Sequence, residues 1–300
     1  MRRPRPTGPI DGSVRRAPEI EDPTNLYLIH PLASRLTAAL AALHVRPNAV
    51  SLAGMACGLL AGGAYFRYRD VHYAIAGFLL MLAWHVLDGA DGQLARLTHA
   101  QSHLGKILDG VCDYVTFIAV YVALAASFSE RSGSWIWALA VAAGVCHAVQ
   151  SAAYEAQRED YTEFGLGRPP AVSAARGTAT QRGSGAPPVP GLLQGGYRLY
   201  VGLQRAVGGI DSDVRARLSA AASGEPGRAA LLRQRYRETF APAVRRWSVL
   251  SANYRTLGIF IAAALAAPQY YFAFEIVGFS AILAVLRLDQ RARYARFLRS

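Results

Sequence analysis

Six stretches of mostly apolar residues, each close to the ~20 needed to cross a bilayer as a helix, dominate this 300-residue chain. They lie near 49–66, 73–94, 105–128, 134–155, 247–267 and 270–288. A chain patterned this way is expected to be all-α, a polytopic membrane protein with six transmembrane helices. Composition agrees: 52% of residues are hydrophobic and only 17% charged, where soluble proteins carry nearer ~25% charge. Cys57, Cys112 and Cys146 each sit alone in an apolar segment. That spacing argues against disulfides and zinc and for small buried hydrophobes.

The formal net charge of +12 takes its meaning from where the basic residues fall. Segment 1–47 holds 7 of them, 156–246 holds 14 and 287–300 holds 5, while the opposite loops contain only Arg67, Arg69 and Arg131. Basic residues collect on the cytoplasmic side of membrane proteins. Both termini, and the face where the second and third segments meet, are therefore expected in the cytoplasm, with the protein in the inner or plasma membrane. Topology accounts for the charge, so no nucleic-acid partner is expected. The N-terminus is polar, with Pro and Arg and no early apolar core, so no cleavable signal peptide is expected.

Where those two segments meet, residues 88–113 read DGADGQLARLTHAQSHLGKILDGVCD. Carboxylates at membrane depth are costly and mark function by default. On helices, Asp88 and Asp91 share one face at i, i+3, and Asp109 and Asp113 share another at i, i+4. Gly92, Ala95 and Gly105 between them are small enough for two helices to approach closely. Two facing carboxylate pairs suit a hard divalent cation such as Mg²⁺, which binds a few carboxylates together with substrate phosphates. Without a metal the four would repel one another.

Written as spacing, D-x2-D-G-x2-A-R-x8-G-x3-D-x3-D runs from Asp88 to Asp113 with no departure. It resembles the signature of the CDP-alcohol phosphotransferases (CDP-alcohol phosphatidyltransferases), integral membrane enzymes of phospholipid synthesis. The resemblance implies transfer of a phosphoalcohol from a CDP-alcohol to an acceptor hydroxyl, with release of CMP. It implies two Mg²⁺ or Mn²⁺ ions held by Asp88, Asp91, Asp109 and Asp113, with Asp113 also taking the proton of the acceptor hydroxyl. It further implies nucleotide or phosphate contacts from Asn48, Ser51, Gly92, Ala95, Arg96 and Gly105, Arg96 binding diphosphate in charge-assisted fashion. The implied acceptor is a lipid or a small alcohol. A homodimer is expected by the same analogy.

The remaining organisation is uneven. Residues 1–23 are rich in Pro, Arg and Gly and expected to be disordered. Residues 24–45 read as an amphipathic juxtamembrane helix broken by Pro31, with Leu36, Leu40 and Leu43 on one face. Residues 46–155 carry the first four spans. Residues 156–246 form a cytoplasmic insertion, a linker or lid over 165–191 followed by basic amphipathic helices, for which docking on an anionic leaflet is favoured. Residues 247–288 carry the last two spans and 289–300 a basic tail. His85 is a candidate partner of Asp88. His147, Gln150, Tyr154 and Arg158 make a stripe on the fourth span, and Arg158 and Arg255 are candidate ligands of a phosphorylated acceptor. A polyprenyl-diphosphate-type transferase would need a second Asp-rich motif and more spans, and 156–300 supplies neither. A transporter would show repeated halves, and a non-catalytic lipid-binding relative is disfavoured by the intact signature.

Overall fold

The computed structural model describes residues 17–168 and 206–299, with Gly195 and Gly202. All secondary structure among the described residues is helical: α1 (His30–Ala42), α2 (Pro47–Tyr65), α3 (Val71–Leu97), α4 (His103–Ser132), α5 (Trp135–Phe164), α6 (Ser212–Ala222), α7 (Pro226–Trp247), α8 (Ala252–Ala264) and α9 (Pro268–Phe297). Local chemistry sets the helix starts. Pro47 and Pro268 occupy first-turn positions, where proline has no amide hydrogen to waste. Asp70 accepts from the His72 amide at 2.9 Å, and Ser102 accepts from the Gly105 amide at 2.9 Å, capping α3 and α4. His99, in the left-handed region at φ 54°, turns the chain between the two halves of the aspartate motif.

Five helices, α2, α3, the Ile107–Ser132 part of α4, α5 and α9, are long and apolar enough to cross a bilayer. The fifth predicted segment, 247–267, forms α8, only 13 residues. At 1.5 Å per residue that is about 20 Å, short of the ~30 Å hydrocarbon core. Leu52, Leu60, Leu79, Val145, Val277 and Val285 project outward. Such an apolar exterior, with every long helix satisfying its own backbone, is what lipid demands; the chain is an integral membrane protein.

The inner packing is set by α2. Gly54, Gly58 and Gly62 form a stripe at four-residue steps that faces α3 and α4. A side chain at Gly58 would overlap Thr116, and one at Gly62 would stand 3.0 Å from the Ala119 carbonyl. These glycines bring α4 close enough to set its carboxylates against those of α3. Behind them lies a core that includes Tyr65, Met81, Trp84, Phe117, Tyr121, Leu124, Tyr271 and Phe272.

Two expectations change. Residues 17–23, read from composition as part of a disordered tail, form an ordered strap with a 3-10 turn at Pro18–Ile20, and Ile20, Glu21 and Asp22 are buried. Three carboxylates with specific partners, described below, supply what composition does not reveal. In the insertion, the apolar face of α7 does not point to lipid. Tyr236 and Phe240 pack with Tyr161, Phe164, Tyr294 and Phe297 over the ends of α5 and α9, leaving Arg228, Arg233, Arg237, Arg245 and Arg246 exposed. Pro31 starts α1 after a π-helical turn at Asn25–Ile29. Leu36 and Leu40 pack against Val50, Ala90 and Leu94, whereas Leu43 is exposed at the helix end. Most of the linker read over 165–191, and of the basic stretch at 192–207, lies outside the described residues.

Candidate active site

α3 and α4 deliver their aspartates to one point. Asp88, Asp91 and Asp109 offer carboxylate oxygens that all lie within 4.8 Å of one another. Asp113, one turn after Asp109, completes the group; Asp88, Asp109 and Asp91 are the charges that act on it most strongly. Its Oδ1 is buried with no hydrogen-bond partner among the described residues. Ser51, on α2, donates its hydroxyl to Asp91 Oδ2. All four aspartates line a cavity of about 780 Å³ that reaches from this point along α4 and α5 to the π-helical turn at Asn25–Ile29 and the start of α8.

The donor set fits a divalent cation. Oxygen-only ligands converging from two rigid helices suit Mg²⁺, and a buried carboxylate oxygen without a donor is a group that otherwise needs an explanation. Asp88, Asp91 and Asp109 are the residues that would hold the ion, with Asp113 alongside.

The other motif residues divide. Gly92 and Arg96 line the cavity, and a side chain at Gly92 would stand 3.4 Å from Arg96 Nη1, so the glycine leaves room beside the guanidinium. Ala95 is half-buried on α3. Gly105 opens α4 beside Asn48, whose Oδ1 would be 3.3 Å from a side chain at that glycine. Asn48 is exposed, at the level where α2 and α4 begin. Ser51 is buried, and its hydroxyl is turned to Asp91.

Of the two arginines read as acceptor ligands, Arg158 lines the cavity and Arg255 does not. Arg255 is fully buried. It pairs with Glu275 Oε1 at 3.0 Å, donates to Gln150 Oε1 at 2.7 Å and to the Leu250 carbonyl, and lies over the Phe279 ring. Its counter-charge, in the middle of the last apolar segment, leaves no donor role toward a ligand in the cavity. Gln150 is drawn into the same cluster, also donating to the Glu275 carbonyl at 3.0 Å. His85 bonds Thr256 Oγ1 at 2.9 Å. His147 meets the Tyr121 hydroxyl at 3.2 Å, which continues to Tyr271 and Glu275. The stripe on α5 thus splits: His147, Tyr154 and Arg158 line the cavity, and Gln150 ties helices together.

Sequence reasoning missed part of the wall: Asn25, His30, Glu155, Glu159 and Asn253. Glu155 and Glu159 carried a readable signal, an i, i+4 acidic pair flanking Arg158. Nothing in the sequence marks Asn25 or Asn253, since only folding places them together, with Asn253 Nδ2 donating to Asn25 Oδ1 at 2.8 Å.

Comparison with known proteins points the same way. Residues 44–175, which contain the aspartate cluster, match the family model described as CDP-alcohol phosphatidyltransferase. The chain is 30% identical over 143 residues to the CDP-diacylglycerol–serine O-phosphatidyltransferase of Mycobacterium tuberculosis, covering 44% of this chain and 47% of that protein. The Mycobacterium leprae protein of the same name is 29% identical over 140 residues, 44% of this chain and 45% of the relative. An uncharacterized CDP-alcohol phosphatidyltransferase class-I family protein of Dictyostelium discoideum is 29% identical over 118 residues, 33% of this chain and 28% of its own. The chain spans about half the length of the mycobacterial relatives it matches. Residues 44–175, with all eight signature positions among them, are thus similar to the CDP-alcohol phosphatidyltransferase family.

Proposed function

We propose that this protein transfers the phosphatidyl group of CDP-diacylglycerol to the hydroxyl of an acceptor alcohol and releases CMP. The observation that carries the reading is the meeting of four carboxylates from α3 and α4 at the wall of one cavity, including Asp113 Oδ1, which has no hydrogen-bond partner among the described residues. In this reading Asp88, Asp91 and Asp109 hold divalent metal, two ions with the help of Asp113. Held there, such metal would supply positive charge for the donor diphosphate and for the oxygen that leaves it.

The chain's own groups do the rest. Asp113 accepts the proton of the acceptor hydroxyl. The freed oxygen attacks the phosphatidyl phosphorus, a new P–O bond forms, and the P–O bond to CMP breaks, with the electron pair leaving on CMP. Arg96 steadies the diphosphate by charge-assisted hydrogen bonds, beside the space that Gly92 leaves open. Asn48 and Gly105, where α2 and α4 start, are placed for the nucleotide. Ser51 acts indirectly, orienting Asp91 in the way that outer hydrogen bonds orient metal ligands. The apolar wall of Ile118, Val122, Trp137 and Val141 suits a donor that carries acyl chains.

The wider setting belongs to the same reading: both termini and the cavity mouth in the cytoplasm, exposed arginines of α7 toward an anionic leaflet, and a homodimer as the working assembly. The named mycobacterial relatives use serine as acceptor, and serine is the first acceptor to try. The test is CMP release by the purified protein in anionic vesicles with CDP-diacylglycerol, serine and Mg²⁺. Acceptor-dependent release that stops with chelator and returns with Mg²⁺ is expected. Absence of release from every donor and acceptor pair, by folded protein, would overturn the reading.

A further inference from the structure

The end of the cavity away from the aspartates has a charge pattern of its own. Arg158 is its central cation. The guanidinium stands 3.0 Å from Glu155 Oε2 and 3.7 Å from Glu21 Oε2 and lies over the Tyr154 ring. Glu155 and Glu159 line the same wall. Glu21 comes from the strap, which is fastened on both sides. Glu19 takes Arg237 at 2.9 Å and the Tyr161 hydroxyl at 2.7 Å, and Asp22 accepts from Ser251 Oγ at 2.7 Å. Among the described residues the Arg158 guanidinium is engaged by two carboxylates, Glu155 and Glu21, and Glu159 stands on the same wall.

That balance discriminates among acceptors. A phosphorylated alcohol would bring up to two negative charges to three carboxylates and one arginine already engaged by two of them, and like charges placed together exclude a ligand as effectively as missing contacts do. An ammonium group finds the reverse, carboxylates on Glu155 and Glu159. A carboxylate on the same molecule finds Arg158, whose buried Nε has no hydrogen-bond partner among the described residues.

Resting on the phosphatidyl-transfer reading, we propose that Arg158, Glu155 and Glu159, with Glu21 of the strap behind them, form an acceptor-selecting subsite. It takes a zwitterionic alcohol, with ammonium and carboxylate beside the reacting hydroxyl, and turns away phosphorylated alcohols. Glu21 is a positioning residue: it acts through Arg158, engaging that cation so that it does not capture a phosphate.

The test measures binding and turnover separately on the full chain in vesicles. Equilibrium binding of labelled serine and labelled glycerol 3-phosphate, without donor, reads the subsite. Serine is expected to bind the more tightly, and Glu155→Gln and Glu159→Gln are each expected to narrow that preference by about tenfold, the worth of one hydrogen bond to a charged group. Glu21→Gln is expected to strengthen glycerol 3-phosphate binding while serine binding weakens; a merely structural role would weaken both. Glu155 is partly exposed, so its glutamine variant tests the subsite even if the strap variant unfolds. Equal or tighter binding of glycerol 3-phosphate by the native protein, or a preference unmoved in both the Glu155 and Glu159 variants, overturns the proposal. CMP release in the same vesicles keeps the two readings apart. Serine-selective, glutamate-dependent binding without CMP release would sink the transfer reading and leave the subsite. Release that is as fast with glycerol 3-phosphate as with serine would do the opposite.

Discussion

The two ends of the cavity are built in opposite ways. The aspartate end comes from 26 consecutive residues on two helices joined by a short turn. The other end gathers Glu21 from the strap, Asn25 from the π-helical turn after it, Glu155 and Arg158 from α5, and Asn253 from the start of α8, residues up to more than two hundred positions apart in the chain. The first is nearly all one charge, four carboxylates that repel one another. The second carries charges of both signs and is already satisfied by side-chain pairs. In the proposed reading, chemistry is concentrated where the chain is local and rigid, and selectivity where distant segments meet.

The largest expected effect strikes the first end. Asp113→Asn removes the proposed proton acceptor with little change of shape, and CMP release is expected to fall by roughly 10²–10⁴-fold, the usual worth of a positioned base. A loss of less than tenfold, read in the same assay, would move the base elsewhere. Next comes the scaffold beside the second end. Glu275→Gln leaves Arg255 buried without its counter-charge, and breaking a pair of that kind costs about 3–5 kcal/mol. A markedly lower thermal midpoint with unchanged acceptor preference is expected; a changed preference at full stability would place Arg255 in the cavity after all.

A smaller effect returns to the aspartates. Ser51→Ala removes the hydroxyl that Asp91 accepts, and metal affinity, titrated with Mn²⁺, is expected to weaken by about 10–100-fold. Unchanged affinity would release Ser51 from that role and leave it free for the nucleotide. The smallest effect concerns the strap. The Arg237 guanidinium holds the Glu19 carboxyl below its usual value of 4.5, with the Tyr161 hydroxyl helping and partial burial opposing. A lowered carboxyl pKa favours the folded strap at pH values above 4.5, and that contribution fades as pH falls through the lowered value. Glu19 is part-exposed, so the effect is screened and modest. Limited proteolysis near residue 20 should rise on acidification in the native protein, and Glu19→Gln should be cleaved readily at every pH. Cleavage independent of both would detach Glu19 from the strap's anchorage.

Legibility follows the same division. Asp88, Asp91, Asp109 and Asp113 were readable because helical spacing alone puts them on shared faces, and the apolar flanks announced their depth. The stripe of Gly54, Gly58 and Gly62, which packs α2 against α3 and α4, was not singled out from the sequence, although four-residue spacing of glycines is a packing signal. Arg255 misled because its partner, Glu275, lies 20 residues away on another helix, and an arginine seen without its counter-ion looks like a ligand site. The strap misled for a related reason: composition described Pro, Arg and Gly, whereas the order comes from Glu19, Glu21 and Asp22 meeting partners on α5, on α7 and at the start of α8. Helix length was the last surprise. The apolar run at 247–267 contains Ser248, Ser251 and Asn253, which the structure uses for a 3-10 turn and the start of a short helix.

The most direct test of the central claim, that chemistry and acceptor recognition sit at opposite ends of one cavity, is a paired measurement on Asp113→Asn. CMP release and equilibrium serine binding would be followed in the same vesicles. The account predicts that release falls to background while serine binds as it does to the native protein. Release at the native rate, or loss of serine binding together with release, would contradict it.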